Sequence, residues 1–151
     1  SKGIRYLSND LIFLQPGLAP YYDWSGLVRL PIYWEDDVHC LYFDQRFDLE
    51  TLKLEQPGLK IFNFHPVHLF LNTRQEADYR AAKPLLQDPM ATRALRQEGP
   101  GIRTLFLDLV HHLSSAQTPR LASLVESFCQ TTPFTGQTTR RFVEEARLAR
   151  P

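Results

Sequence analysis

Two histidines, His65 and His68, follow an apolar stretch near the middle of the chain. Residues 59–64, which precede them, carry apolar side chains at both alternating sets of positions, which is typical of a strand covered on both faces in a parallel sheet. Because catalytic groups gather at the carboxyl ends of parallel strands, His65 is well placed to transfer a proton near neutral pH. A His-x-x-His pair can also bind a metal. The alternative is that both histidines have a purely structural role at the end of the strand.

A run of three acidic residues, Glu35, Asp36 and Asp37, lies just before His39. Neighbouring carboxylates repel one another, so the pKa of one of them is expected to rise unless a cation lies nearby. Such a carboxylate suits a general base or a metal ligand. Arg29 could neutralise one of these carboxylates if the chain folds back on itself. The alternative is a solvated acidic turn.

Aromatic residues are concentrated before and within this acidic run. Aromatic rings pack against sugar rings, so the concentration is consistent with a carbohydrate-binding groove, and packing in the hydrophobic core is the alternative. The residues concerned are Tyr21, Tyr22, Trp24, Tyr33 and Trp34.

The composition excludes several functional classes. The 151 residues contain 17 Lys+Arg and 17 Asp+Glu, so the formal charge is zero, which argues against a general nucleic-acid binder. No apolar run approaches the ~18 residues that a membrane-spanning helix needs, and no signal peptide is visible, so we expect a cytoplasmic protein. The two cysteines, Cys40 and Cys129, are predicted to be free thiols in a reducing compartment.

Short apolar runs dominate the first half of the chain and helical patterns the second. This order predicts an α/β or α+β fold, of which we favour a parallel sheet with covering helices. The predicted strands are residues 4–7, 11–14, 27–34 and 59–64. Asp48 is the predicted N-cap of a short helix over residues 49–54. Amphipathic spacing and helix-forming residues predict further helices over residues 74–86, with an interruption at Pro84, and over residues 102–113, 121–128 and 140–149.

A longer stretch around the two histidines resembles a block found in bacterial polysaccharide deacetylase-like (NodB homology) proteins, closest to their WbmS-like branch. This stretch, residues 57–73, reads PGLKIFNFHPVHLFLNT. Residues 31–37, PIYWEDD, resemble a second block of the same group, and residues 101–105, GIRTL, also fit it. The WbmS-like branch is associated with surface-polysaccharide gene clusters.

The resemblance implies a distorted (β/α) barrel of the NodB type and an enzyme that removes acetyl groups from a bacterial surface polysaccharide or its sugar precursor. In such enzymes a divalent metal, often zinc, holds the water that attacks the acetyl carbonyl. His65 matches the late histidine that protonates the leaving group. We expect Asp37 to be a catalytic carboxylate and Arg29 to orient a carboxylate.

The expected cofactor is therefore a divalent metal, with Asp36, His39 and His68 as its candidate ligands. The expected partner is an acetylated glycan or sugar, held in a groove lined by aromatic side chains. These substrate-binding residues are Trp34, Tyr33, Tyr22 and Trp24.

The sequence also departs from the pattern of the family. The early Asp-Asp pair and the His-x-x-x-His motif, which supply the base and the metal ligands in the family, do not occur before Arg29. We therefore expect residues 1–151 to form a single domain that corresponds to the C-terminal part of a deacetylase domain, whose partner is a missing N-terminal half or a second copy in a homo-oligomer. Alternatively, a different metal site lies within this chain, formed by Asp36, Asp37, His65 and His68.

Two other functions stay open on the sequence alone. One is a catalytically inert carbohydrate-binding or scaffolding domain on the same fold, since a fold does not determine a function. The other is a metal-dependent hydrolase with an unrelated substrate.

Overall fold

The computed structural model describes residues 3–42 and 46–135. The helix predicted over residues 140–149 lies outside these ranges. Cys40 is buried, Cys129 is exposed and the two are not joined in a disulfide. None of the helices in the described ranges combines the length and the apolar character needed to cross a membrane.

Within the described ranges, five short strands form two small sheets. The strands are β1 (Tyr6–Leu7), β2 (Tyr21–Tyr22), β3 (Val28–Arg29), β4 (Trp34–Glu35) and β5 (Phe62–Asn63). In the first sheet β3 lies between β1 and β2, parallel to β1 and antiparallel to β2. In the second sheet β4 and β5 are parallel, which confirms the prediction made from the two-sided apolar pattern of residues 59–64.

Backbone hydrogen bonds beyond these strands extend the parallel arrangement. Ile12 N donates to Ile32 O at 2.9 Å, and Tyr33 N donates to Ile61 O at 2.8 Å. The extended segment over residues 28–35 therefore has residues 6–14 along one side, and on its other side β2 at residues 28–29 and residues 61–63 at residues 33–35. This central position buries most of the segment, including Tyr33 and Trp34.

The part of the chain that the structure describes contains six α-helices, which cover and follow the strands. They are α1 (Asp36–Tyr42), α2 (Pro66–Leu71), α3 (Glu76–Ala82), α4 (Pro89–Ala94), α5 (Ile102–Leu113) and α6 (Leu121–Thr131), with 3₁₀ turns at Leu49–Leu52 and Lys83–Leu85. Asp48 caps the first of these turns, since its Oδ1 accepts a hydrogen bond from Thr51 N at 3.1 Å. The helices at α5 and α6 agree with the spacing of their apolar residues.

The order of elements differs from the prediction in one respect. Helices are not confined to the second half, because α1 and α2 directly follow β4 and β5. The interruption predicted at Pro84 is confirmed, since α3 ends at Ala82 and Pro84 cannot donate a backbone hydrogen bond to a further turn. The fold is α/β, and the strands within residues 3–42 and 46–135 do not close into a barrel.

The main hydrophobic core joins the sheet that carries β4 and β5 to one face of α5. Trp34 is fully buried, and its ring lies 4.9 Å from that of Phe64, which in turn contacts Phe106. From α5, Ile102 and Leu105 complete the same core with no exposed surface. Burial of this apolar surface fixes α5 against the strands whose ends carry the candidate site.

Asn72 connects the end of α2 to the start of α5. It adopts the left-handed conformation, with φ 51°, and ends α2. Its side-chain amide donates to Gln97 O at 3.0 Å and to Gly99 O at 2.9 Å, while its Oδ1 accepts from Arg103 N at 3.0 Å. A Cβ on Gly101 would lie 2.5 Å from Asn72 Oδ1, so this close approach of α5 requires glycine.

Candidate active site

The ends of two adjacent parallel strands bring the acidic run and the histidines together. Strand β4 pairs with β5 in the register Trp34 to Phe62 and Glu35 to Asn63. Asp36 therefore leaves β4 beside the point at which the chain leaves β5 and reaches His65. Helices α1 and α2 begin at these points, which is the usual location of functional groups in parallel α/β sheets.

Asp36 and His65 form a tightly hydrogen-bonded pair. The backbone N of His65 donates to Asp36 Oδ2 at 2.7 Å, and His65 Nδ1 lies 2.6 Å from Asp36 Oδ1. Asp36 Oδ1 also accepts from Asp37 N at 2.9 Å. The Asp36 side chain has no exposed surface, whereas 37% of the His65 side chain is exposed. Asp36 thus fixes the ring of His65 from the protein interior and leaves Nε2 on the accessible side.

Electrostatics favour a protonated His65. Burial by itself lowers the pKa of His65, but the hydrogen bond to Asp36 and the charges of Asp36, Asp37 and Glu35 outweigh it, so that this pKa is raised. His65 Nε2 lies 3.7 Å from Glu35 Oε1. With Asp36 ionised, Nδ1–H donates to it and Nε2–H is available to a bound molecule.

His68 holds the second carboxylate of the run. Its Nε2 lies 2.5 Å from Asp37 Oδ1, and its Nδ1 lies 2.9 Å from Thr73 Oγ1. The His68 ring is almost fully buried and Thr73 is completely buried, whereas 47% of the Asp37 side chain is exposed. Thr73 and His68 therefore fix the orientation of a carboxylate that faces solvent next to His65.

Four side chains of this site could hold a divalent metal ion: Asp36, Asp37, His65 and His68. One donor atom of each lies within 4.8 Å of the others. Two carboxylates and two imidazoles suit zinc and related divalent ions, so the residues present fit such an ion chemically. Both oxygens of Asp36 already accept hydrogen bonds, whereas the half-exposed Asp37 lies against His68 Nε2, so an ion that replaced the hydrogen between them would bind to Asp37 and His68.

His39 does not belong to this group, so its prediction as a metal ligand is corrected. Its ring is buried, with Nε2 3.0 Å from Arg46 O, and it packs against Trp34 and Phe47. Burial lowers the pKa of His39. It is a neutral core residue because it lies on the face of α1 that is turned toward the hydrophobic core.

Arg29 also lies apart from the acidic run. Its Nε donates to Asp23 Oδ2 at 2.8 Å and its Nη1 donates to Asn9 Oδ1 at 2.9 Å. The carboxylates that it pairs with are Asp23 and Asp10, in the three-stranded sheet. The expectation that Arg29 orients a carboxylate of the candidate site is therefore corrected.

The aromatic residues do not form one groove. Trp34 and Tyr33 are buried, because residues 28–35 are flanked on both sides, so their rings are not available to a glycan. Tyr22 packs against Phe128 and Phe134, each with ring centroids 5.1 Å away. Trp24 is 78% exposed, and of the four predicted substrate-binding residues it alone presents most of its surface to solvent.

Thr73 and Glu35 contact the site, but Thr73 was not singled out from the sequence and Glu35 was named only as part of the acidic run. Glu35 Oε1 accepts a hydrogen bond from Asn63 Nδ2 at 3.3 Å and faces His65. Thr73 reaches His68 because Asn72 reverses the chain after α2. The position of Glu35 beside two other acids was a usable signal, whereas the role of Thr73 depends on a left-handed residue that sequence spacing does not reveal.

A buried carboxylate paired with a histidine at the ends of adjacent parallel strands is typical of an α/β enzyme site that transfers protons. Comparison with known proteins identifies the family. The profile of the WbmS-like polysaccharide deacetylases matches residues 1–83, and the chain belongs to this family. This confirms the resemblance recognised in residues 57–73 and 31–37.

A solved structure shows the same fold. It is the crystal structure of a Bordetella bronchiseptica protein assigned as a polysaccharide deacetylase involved in O-antigen biosynthesis. The two proteins superpose with a TM-score of 0.64 and are 30% identical over 72% of this chain. The match covers 46% of the Bordetella protein, so this chain spans about half the length of that relative. No curated protein sequence matches this chain.

Proposed function

We propose that this chain carries both the general acid and the metal site of a metal-dependent deacetylase that removes acetyl groups from a bacterial surface polysaccharide or its sugar precursor. The observation that supports the proposal is the Asp36–His65 pair, in which a fully buried carboxylate orients a partly exposed imidazole. Membership of the polysaccharide deacetylase family supports the choice of reaction. The single domain expected over residues 1–151 is part of this proposal.

Each side chain of the site has a distinct task in this reaction. His65 Nε2–H donates its proton to the departing amine or alkoxide, and Asp36 stabilises the imidazolium and keeps its ring in place. Asp37, held by His68, presents an accessible carboxylate beside the acid. A divalent ion, which we propose to be zinc, supplies Lewis-acid chemistry that polarises a carbonyl and acidifies water. Asp37 and His68 would hold it, with Asp36 and His65 adjacent.

General-acid catalysis by His65 is tested with two substrates that differ in their need for a proton. An amine leaving group must be protonated, whereas 4-nitrophenolate leaves without help. We expect His65→Asn to slow acetate release from an N-acetylhexosamine polymer by about 10²–10⁴-fold and to affect hydrolysis of 4-nitrophenyl acetate much less. The matched control is His112→Asn, an exposed histidine on α5, which should leave both rates unchanged.

Two results of this assay would contradict the proposal. One is equal slowing of both substrates by His65→Asn. The other is no acetate release by the zinc-supplemented wild-type chain. Glycan binding without acetate release would favour the inert carbohydrate-binding domain instead.

The metal is tested without reference to activity. We expect elemental analysis of the purified, zinc-incubated chain to find bound zinc. The variants His68→Ala and Asp37→Asn should retain less zinc, because each substitution weakens the affinity for zinc by about 10–100-fold. His112→Asn should bind zinc like the wild type. A wild-type chain that takes up no zinc would show that its metal ligands are not these residues.

A further inference from the structure

A surface groove begins directly beside the candidate active site, between α2, α5 and the residues that follow α4. Its volume is about 480 Å³, which is within the usual range for small-molecule sites. Its apolar lining comes from Pro66, Leu69, Phe70, Phe106 and Leu107. Because Pro66 is the residue after His65, a molecule that places its reactive group at His65 can extend into this groove.

Two arginines, Arg96 and Arg103, line the same groove. Arg96 is held in place: its Nε donates to Phe70 O at 2.7 Å, and its guanidinium lies 4.9 Å from the centre of the Phe70 ring. Arg103 is half-buried in the first turn of α5. Among residues 3–42 and 46–135, no carboxylate forms an ion pair with either arginine, although Glu98 and Asp108 are close in sequence.

An apolar groove with two guanidinium groups that form no ion pair within the described ranges favours a ligand that carries a phosphate. Guanidinium groups bind phosphate through paired N–H donors, and they do so best where neighbouring apolar surface excludes water. The rest of such a ligand must be apolar, since the remaining lining residues offer no polar side chain.

A second groove continues the apolar surface on the other side of Pro66 and Phe70. It has a volume of about 350 Å³ and is also lined by Val67, Leu86 and Pro89. Its one polar side chain, Thr92, already donates to the carbonyl oxygens of Leu85 and Asp88. This surface suits an extended hydrocarbon chain better than a nucleobase, which needs hydrogen-bonding partners.

We propose that the groove binds a phosphate joined to an apolar chain, so that the substrate at His65 is an acetylated sugar attached to a phosphate-bearing apolar carrier. This inference rests on the proposed function, because that function places the sugar at His65. Arg103 and Arg96 bind the phosphate, and the apolar surface around Phe70 binds the chain that follows it.

The proposal is tested by binding of decyl phosphate below its micellar concentration, measured by isothermal titration calorimetry. Decanol tests the need for the phosphate, and uridine monophosphate tests a nucleotide as the alternative phosphate source. We expect decyl phosphate to bind at least tenfold more tightly than either compound, and Arg103→Gln to weaken it about tenfold or more. The control is Arg120→Gln, an exposed arginine at the start of α6, and circular dichroism checks that both variants fold.

Three results would overturn the proposal: no binding of decyl phosphate, equal binding of decanol, or equal weakening by the two arginine variants. Tighter binding of uridine monophosphate would overturn the assignment of an apolar carrier. The His65→Asn variant should bind decyl phosphate like the wild type. If the wild type binds decyl phosphate through Arg103 but releases no acetate, the proposed function fails and the groove assignment stands. If it releases acetate but does not bind decyl phosphate, the proposed function stands and the groove assignment fails.

Discussion

Individual side chains in this protein are held by dense local hydrogen bonding, and Asp23 shows its electrostatic consequence. The Asp23 carboxylate accepts hydrogen bonds from the hydroxyl and the backbone N of Ser25, at 2.7 and 2.8 Å, and from Arg29 Nε at 2.8 Å. The Ser25 hydroxyl first, and then the Arg29 guanidinium, hold the pKa of Asp23 down at about 2, against the opposing effect of burial.

This shift predicts a pH dependence of stability. Because the pKa of Asp23 is below its ordinary value of 3.8, the ionised carboxylate stabilises the fold above about pH 4. That stabilisation is lost as the pH falls from about 4 to about 2. We therefore expect Asp23→Asn to lower the Tm at pH 7, and its difference from the wild type to shrink between pH 4 and pH 2.5.

Thermal melts over this pH range provide the measurement. The control is Asp108→Asn, an exposed residue on α5, whose Tm should follow that of the wild type at every pH. A difference between Asp23→Asn and the wild type that stays constant with pH would rule out the carboxylate charge as its origin.

At the scale of elements, the junction between α2 and α5 depends on Asn72 and Gly101. A methyl group at position 101 would lie 2.5 Å from Asn72 Oδ1 and 2.6 Å from Asn72 O, so Gly101→Ala must displace one element. We expect it to lower the free energy of unfolding by about 1–3 kcal/mol. Asn72→Ala should cost a similar ~1–3 kcal/mol, because it removes the side-chain partner of three backbone groups, those of Gln97, Gly99 and Arg103.

Urea denaturation of both single variants and the double variant measures this coupling. Part of the cost of Gly101→Ala should disappear in the Asn72→Ala background, because the side chain that obstructs the methyl group is gone. Asn9→Ala, which removes one exposed hydrogen bond to Arg29, is the control and should cost less. Fully additive effects would show that residues 72 and 101 do not interact as the structure indicates.

The elements also show which parts of the fold the sequence predicts. Helix α5 spans 12 residues, enough for its apolar spacing to be recognised, whereas α1 and α2 have only seven and six residues and depend on packing rather than on a pattern of their own. Trp34 and Tyr33 could not be assigned to the core from local sequence, because their burial comes from distant segments on both sides.

The candidate site was predictable to a greater extent than these helices. The ends of parallel strands indicated His65, and the acidic run indicated Asp36 and Asp37. The sequence does not show whether His39 or His65 contacts the acidic run. Asp36 and His39 are both buried in α1, but Asp36 bonds to His65, whereas His39 lies 3.0 Å from Arg46 O.

For the whole molecule, the main core joins the first half of the chain to α5, which predicts a single unfolding transition. The two tryptophans allow a direct test, since Trp34 is fully buried in this core and Trp24 is 78% exposed. In Trp24→Phe, the remaining fluorescence reports on Trp34 alone. We expect its urea midpoint to coincide with that of helical circular dichroism at 222 nm.

Two controls define the outcome of that experiment. The Trp24→Phe variant should keep the stability of the wild type, because it changes an exposed side chain. Its fluorescence should also be shielded from iodide quenching. Separate midpoints for the two signals would show that the sheet and the helices unfold independently.

The pairing of β4 with β5 has a consequence for how the length of this chain can vary. Asp36 and His65 meet because each follows its strand in a fixed register, so deleting one residue from either strand would turn one of them to the opposite face. The number of residues between α1 and β5 does not affect this register. We therefore expect natural insertions and deletions to accumulate between Tyr42 and Phe62, while the distances from Trp34 to Asp36 and from Phe62 to His65 stay constant.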